Sequence, residues 1–192
     1  MKKLIVFTLL TISVIGVTKA QFTKIGGGLG LTSGFKFHQM DFPENRSGLI
    51  GINLRGIYEI SVPLHIAPSF TIFYPHITKA QFDKTVVSSM MFDINGHYVF
   101  NSLDKYEFYG LAGLDILLAK KKNVYETSGT FTENDNALGL NLGIGTYMKM
   151  TETVDIYGEA KYVFNKGYGQ FMINAGILLN IDWMKKHENS EL

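Results

Sequence analysis

Cysteine is absent from the 192-residue chain, and proline occurs only 4 times. The absence of cysteine excludes a disulfide framework, a thiolate metal site, a cysteine nucleophile and a lipid-modified N-terminal cysteine. No charge of one sign dominates either, because 18 basic residues face 17 acidic ones. Nothing in this balance predicts binding to nucleic acid. A chain without disulfides must be held by its own packing or by a surrounding membrane.

A long apolar run occurs only at the N-terminus. Lys2 and Lys3 precede an apolar segment over residues 4–17, and the small residues of Thr18–Ala20 follow it. This three-part pattern predicts a secretory signal peptide over residues 1–20. A membrane anchor helix is disfavoured because the run is shorter than the roughly 20 residues that span a bilayer. We expect one domain over residues 21–183 and a short polar tail over residues 184–192.

The rest of the chain alternates with a period of two, and it contains no convincing amphipathic helix. In residues 86–100 the even positions are mostly apolar, as at Phe92, whereas the odd positions include Asp93 and His97. Such two-faced segments of about ten residues are typical of transmembrane barrel strands. Enrichment in glycine and aromatic residues also favours strands. The alternation occurs in eight segments, at about 24–35, 49–58, 64–74, 86–100, 106–118, 138–148, 154–164 and 171–181.

The links between these segments alternate in length. Three links are long and polar, at 36–48, 75–85 and 119–137, and the last of these is interpreted as a mobile, charged loop over Lys120–Asp135. Long loops at one end and short turns at the other are typical of outer-membrane barrels. The sequence therefore predicts an all-β, eight-stranded antiparallel up-and-down transmembrane β-barrel with both termini at the short-turn, periplasmic side.

The strands of a soluble barrel also alternate between apolar and polar residues, but their apolar face points inward. The opposite orientation is favoured here because the polar face carries many glycines, such as Gly28 and Gly143. Glycine weakens an exposed strand, whereas a narrow eight-stranded lumen needs small residues beside large ones. The signal peptide and aromatic rims favour the same orientation. The rims are predicted to consist of Phe35, Tyr58, Tyr74, Tyr98, Phe100, Tyr106, Phe108, Tyr162, Phe164, Phe171 and Trp183, all on the lipid-facing parity.

The polar face predicts a lumen filled with charge of both signs. An isolated charge in a low-dielectric interior costs several kcal/mol, so these side chains are expected to pair. A gated ion path is the alternative, and it is disfavoured because the interior of eight-stranded barrels is just wide enough for side chains. The predicted network consists of Arg55, Asp93, His97, Glu107, Asp115, Asp155, Glu159 and Lys161.

No enzyme or metal motif stands out. The nearest candidates for lipid-modifying chemistry are His65 with Ser69, and His97 with Asp93. Residues i and i+4 of a strand lie about 13 Å apart, too far for direct proton transfer. We therefore expect no catalytic residue, no metal site and no cofactor.

Four stretches resemble the small outer-membrane β-barrel families, the OmpA/OmpX-like and porin-family barrels, in the variety common in Bacteroidetes-type exported proteins. They are residues 110–113, 140–145, 157–162 and 176–181. The resemblance implies residence in the outer membrane, contact with its lipid and insertion by the barrel assembly machinery. It departs from the family where a charged tail follows Trp183, since many members end on an aromatic residue.

These observations predict a non-enzymatic outer-membrane barrel with a structural or surface-contact role. Any surface partner would be recognised through the links at 36–48, 75–85 and 119–137. The alternatives left open are a small lipid-modifying enzyme of the outer membrane and a secreted, lipocalin-like barrel that binds an apolar ligand.

Overall fold

A computed structural model of the chain describes residues 21–36, 46–79, 83–125, 129–165 and 169–181. The predicted signal peptide, Trp183 and the tail over 184–192 lie outside the described residues, so the domain bounds stay predictions. Within the described ranges, no helix has both the length and the apolar character that crossing a membrane requires.

Eight long strands form the wall of a closed barrel, which confirms the predicted fold class. Each strand pairs antiparallel with the next along the chain, and the first pairs with the last. The strands are β1 (Gln21–Thr32), β2 (Ile50–Ser61), β3 (Leu64–Phe73), β4 (Asp83–Ser102), β5 (Tyr106–Tyr125), β6 (Gly129–Lys149), β7 (Val154–Asn165) and β8 (Gln170–Asn180).

The two ends of the barrel differ in how the strands are connected. Short turns over residues 62–63, 103–105 and 150–153 join strands at one end, here named the turn end. At the other end, here named the hairpin end, β4, β5 and β6 reach 20, 20 and 21 residues and continue as a paired sheet. Short strands occur there as well, at Phe35–Lys36, Arg46–Ser47 and His76–Lys79.

The prediction of a loop over Lys120–Asp135 is wrong for the residues that the structure describes there, because they lie in paired strands. β5 and β6 stay in register from the barrel wall to the pair Tyr125 and Gly129. Alternation continues through the three consecutive lysines, because Lys121 faces inward and forms an ion pair with Glu133 at 3.4 Å. Cross-strand pairs of this kind stabilise a hairpin. The link at 75–85 is likewise part strand, since His76–Lys79 pairs with β4.

The apolar face of the wall points outward. Phe92 is 46% exposed, whereas its neighbour Asp93 is 0% exposed. The same division holds along the other long strands, where most isoleucines and leucines are exposed and the buried polar residues include asparagines, Glu159 and Lys161. A surface this apolar requires lipid rather than water around it. This orientation excludes the interpretation as a soluble barrel with an apolar interior.

Glycine makes room for large side chains and for close strands at two places. Gly28 and Gly176 face each other across β1 and β8, and a Cβ on Gly28 would lie 2.1 Å from the carbonyl oxygen of Ala175. On β6, a Cβ on Gly145 would lie 2.4 Å from the ring of Tyr109. These contacts explain why small residues concentrate on the inward face.

Candidate functional site

The barrel interior is built around a buried ion pair between β2 and β7, which are not neighbours in the wall. The Arg55 guanidinium donates to both carboxylate oxygens of Glu159, with Nη1–Oε2 at 2.6 Å and Nη2–Oε1 at 2.8 Å. Both side chains are 0% exposed. Two planar hydrogen bonds of this kind are strong and directional. The pair therefore links opposite parts of the wall across the lumen.

Neutral side chains also contact this pair. Tyr109 Oη and Asn174 Nδ2 each donate to Glu159, at 3.2 Å in both cases. The ring of Tyr157 lies 4.5 Å from Arg55 Cζ, at the distance of a cation–π contact. These contacts offset part of the cost of burying the two charges. Arg55 Nε has no hydrogen-bond partner among the described residues.

A second buried cluster surrounds Asp93. Lys161 Nζ lies 2.8 Å from Asp93 Oδ1, and Asn141 Nδ2 donates to the same oxygen at 2.7 Å. Ser69 Oγ donates to the other carboxylate oxygen at 3.0 Å. The side chains of Lys161 and Asp93 are 0% exposed. Glu159 and Asp93 therefore each have one cation and additional neutral hydrogen-bond donors.

Aromatic rings fill the space on the turn-end side of the ion pair. His97 stacks on Tyr109 with ring centroids 4.3 Å apart, and its Nδ1 lies 2.6 Å from Tyr147 Oη. Tyr109 and Tyr147 also stack, at 4.5 Å. His97 Nε2 lies 3.9 Å from Glu159. The stack therefore extends from the ion pair toward the turn end of the lumen.

Apolar layers lie above and below the polar groups. Phe73, Met91, Leu117, Val163 and Met172 form a buried cluster on the hairpin side. A second buried cluster on the turn-end side contains inward residues from six strands, among them Ile57, Ala67, Leu111 and Leu178. An ion crossing the lumen would have to shed its water in these layers, at a cost that apolar groups do not offset.

The turn-end mouth is open and polar. A cavity of about 200 Å³ there is lined by residues that include Glu107, Lys149 and Tyr147. Lys24 and Asp155 form an ion pair at 2.6 Å beside it. Toward the hairpin end, Asp115 accepts a hydrogen bond from Asn165 at 2.9 Å. Neither Glu107 nor Asp115 has an ion pair within the described ranges.

The structure thus brings together five of the residues expected in the lumen. Arg55, Glu159 and His97 form one group, and Asp93 and Lys161 form a second. Asp155 pairs with Lys24, which is not among the residues predicted for the network. The structure does not join the suggested catalytic pairs, since Ser69 donates to Asp93 and His97 contacts Tyr147. Among the described residues, no group of acids and histidines could hold a metal ion.

Three tyrosines of the network were missed. Tyr109, Tyr147 and Tyr157 carry hydroxyl groups that bond to Glu159, His97 and Asn53 respectively. Parity was the available signal, because all three occupy the odd, inward positions of their strands. The aromatic positions predicted above all lie on the lipid-facing parity, and these three tyrosines lie on the other.

The predicted aromatic rims lie on the outer surface where the structure describes them. Near the turn end are Tyr58, Tyr98, Phe100, Tyr106 and Phe108, and near the hairpin end are Tyr74, Tyr162, Phe164 and Phe171. Phe22, which was not assigned to a rim, packs edge-on against Tyr58 with centroids 5.5 Å apart. The side chain of Phe35 and all of Trp183 lie outside the described residues.

Comparison with known proteins identifies the family of this barrel. The sequence profile described as outer membrane protein beta-barrel domain matches residues 5–183. No curated protein matches the chain by sequence.

Solved structures match the fold with low identity. Ail of Yersinia pestis aligns with a TM-score of 0.55 and 14% identity, over 83% of this chain and 97% of that one. The N-terminal barrel of OprF from Pseudomonas aeruginosa gives 0.54 and 13%, over 84% and 99%. Neisserial surface protein A gives 0.51 and 16%, over 84% and 98%. Likeness at this identity concerns the fold.

Proposed function

This chain belongs to the outer membrane protein β-barrel domain family and resides in the outer membrane, and we propose that it is a closed, non-enzymatic barrel that holds a sheet for contact at the cell surface. The filled lumen carries this proposal. Two fully buried ion pairs and an apolar layer occupy the space that a pore or a substrate would need. The barrel wall then serves as an anchor, and recognition falls to the parts outside it.

The projecting sheet is the region best suited to contact. It consists of the ends of β4, β5 and β6 beyond the lipid-facing rows, together with His76–Lys79. Paired strands hold their side chains in a fixed array. Binding a partner on this surface therefore loses less conformational entropy than binding one on a mobile loop. We place the hairpin end outside the cell, as the length difference between loops and turns favours.

Cysteine scanning tests this orientation, because the chain contains no native cysteine. Thr130→Cys lies at the exposed tip of the sheet, and Asp104→Cys lies in an exposed turn at the other end. A membrane-impermeant maleimide should label Thr130→Cys on intact cells and Asp104→Cys only after lysis. Labelling of Asp104→Cys on intact cells, with Thr130→Cys protected, would contradict the orientation.

The contact role is tested by shortening the sheet. Joining Lys120 to Asn134 through a short turn removes the paired tip and leaves the barrel wall intact. Cells carrying this variant should lose binding to host or bacterial surfaces that the full chain supports, while the amount of folded barrel stays unchanged. Equal adhesion by both variants would overturn the contact role.

The non-enzymatic assignment is tested on the membrane lipid itself. Mass spectrometry of lipid A from cells with and without the protein should give the same species. A mass change that disappears in His97→Ala would instead support a lipid-modifying enzyme.

For biogenesis, we propose recognition of the last strand by the barrel assembly machinery, through a signal that includes Trp183.

A further inference from the structure

Charge is divided between the two faces of the projecting sheet. Lys79, Lys84, Lys120 and Lys122 are exposed, and all four lie on the parity that faces outward lower in the wall. Among the sheet's described side chains, the acidic groups Glu133 and Asp135 lie on the inward parity, together with Lys121. The outward face of the sheet is therefore cationic with no described acid beside it.

The neighbours of these lysines support this division. In an antiparallel sheet, paired residues share a face. Lys120 lies opposite Ser88 and Asn134, and Lys122 lies opposite Val86 and Thr132. None of these partners carries a charge. No ion pair of Lys120 or Lys122 occurs in the part of the chain that the structure describes.

The cationic face begins directly above the lipid-facing rows. Leu118 is paired with Met90 and is 46% exposed on the outer surface. Lys120 is the next outward residue along β5, about 7 Å farther on at the usual rise of a strand. On β5 the outward residues thus change from apolar at Leu118 to cationic at Lys120, as expected where lipid head groups replace the acyl chains.

A groove at this height opens where β3 leaves β4. Their pairing ends at Ile72 with Met90 and resumes at His76 with Val87, so three residues face two across the gap. A cavity of about 470 Å³ lies at this notch. Its lining includes the outward apolar side chains Ile72, Met90 and Leu118, the outward polar residues Ser88, Lys120 and Asn134, and Asp135 from the inward parity.

We propose that this groove and the lysines above it bind one lipid of the adjacent leaflet with an anionic phosphate head group. An acyl chain lies against Ile72, Met90 and Leu118, where it continues the lipid belt. The phosphate contacts Lys120 and Lys122, whose charge complements it. The site is on the outside of the wall and uses no residue of the lumen network. An experiment that disproves the lipid site therefore leaves the proposal of a closed lumen unaffected.

Native mass spectrometry of the detergent-purified chain tests the head-group contact. Titration with dioleoylphosphatidylglycerol should give one bound lipid per barrel in preference to dioleoylphosphatidylcholine, which has the same chains and no net charge. The double variant K120Q/K122Q should weaken phosphatidylglycerol binding by about fivefold for each lysine removed. The matched double variant K105Q/K149Q, which removes two exposed lysines at the turn end, should bind as the wild type does.

A second variant tests the groove. Ile72→Trp places a larger apolar side chain at a lipid-facing position, so the barrel should fold while the groove is filled. Phosphatidylglycerol binding should fall although the lysines remain, and millimolar inorganic phosphate should not displace the lipid from the wild type. Unchanged binding in K120Q/K122Q or in Ile72→Trp would overturn the proposal. Displacement by phosphate alone would also overturn it, because it would show a head-group site without an acyl chain.

Discussion

Side chains alternate between two faces in both the lumen and the projecting sheet, but the two regions differ in whether acidic and basic residues are paired. In the lumen, acids and bases from different strands converge and are matched, as in Arg55 with Glu159 and Lys161 with Asp93. Above the lipid-facing rows, exposed lysines occupy one face and acids occupy the other. Burial explains the difference. An isolated charge is costly in the closed interior, whereas water and lipid head groups solvate a charge outside it. Asp115 is buried without an ion pair among the described residues, and it accepts a hydrogen bond from Asn165.

The largest expected effect comes from breaking the central ion pair. Arg55→Met leaves the buried carboxylate of Glu159 without its cation, and we expect a loss of about 3–5 kcal/mol in the free energy of unfolding. Urea titration of the lipid-inserted barrel, followed by the heat-modifiable band on gels, measures it. The double variant R55M/E159L should recover part of the loss. A loss below about 1 kcal/mol in R55M would contradict a dry interior, because it is the value expected for a solvent-exposed ion pair.

Overpacking the lumen should have an intermediate effect. Gly145→Ala places a methyl group against the ring of Tyr109, which is held between His97 and Tyr147. We expect a loss of about 1–3 kcal/mol in the free energy of unfolding. Gly110→Ala is the matched control, because a Cβ there meets nothing within 4 Å. Equal stability of the two variants would show that the aromatic stack is loose.

The smallest effect is expected in the projecting sheet. Glu133→Gln removes an ion pair whose side chains are 8% and 28% exposed, and we expect a loss of about 0–1 kcal/mol in the free energy of unfolding. Glu159→Gln removes the same charge from the lumen and serves as the comparison. Similar losses in the two variants would remove the distinction between matched interior charge and solvated surface charge.

The strands and their faces could be predicted because alternation is a local property. The segment 86–100 shows which face each residue takes, and the structure places Phe92 outside and Asp93 inside accordingly. The pairing of charges is not local. Arg55 and Glu159 are 104 residues apart in sequence, and they meet only because long side chains cross a closed lumen.

The predictions that failed, for the three lysines and the inward tyrosines, also have physical explanations. Three consecutive lysines over 120–122 looked like a solvated loop, yet strand pairing gives the middle one an acidic partner and leaves the other two on the opposite face. The inward tyrosines were missed for a different reason. Their hydroxyl groups make an aromatic ring compatible with a polar lumen, so aromatic character alone does not assign a residue to the lipid interface.

Conductance across a planar bilayer tests the closed lumen most directly. The purified wild-type barrel should insert and show no steady ionic current at moderate voltage, because matched charges and an apolar layer fill its interior. The variant R55M/K161M, which leaves two buried carboxylates without cations, is the comparison that should admit water and cations if it inserts. A stable, reproducible open-channel current from the wild-type barrel would contradict a lumen closed by its own side chains.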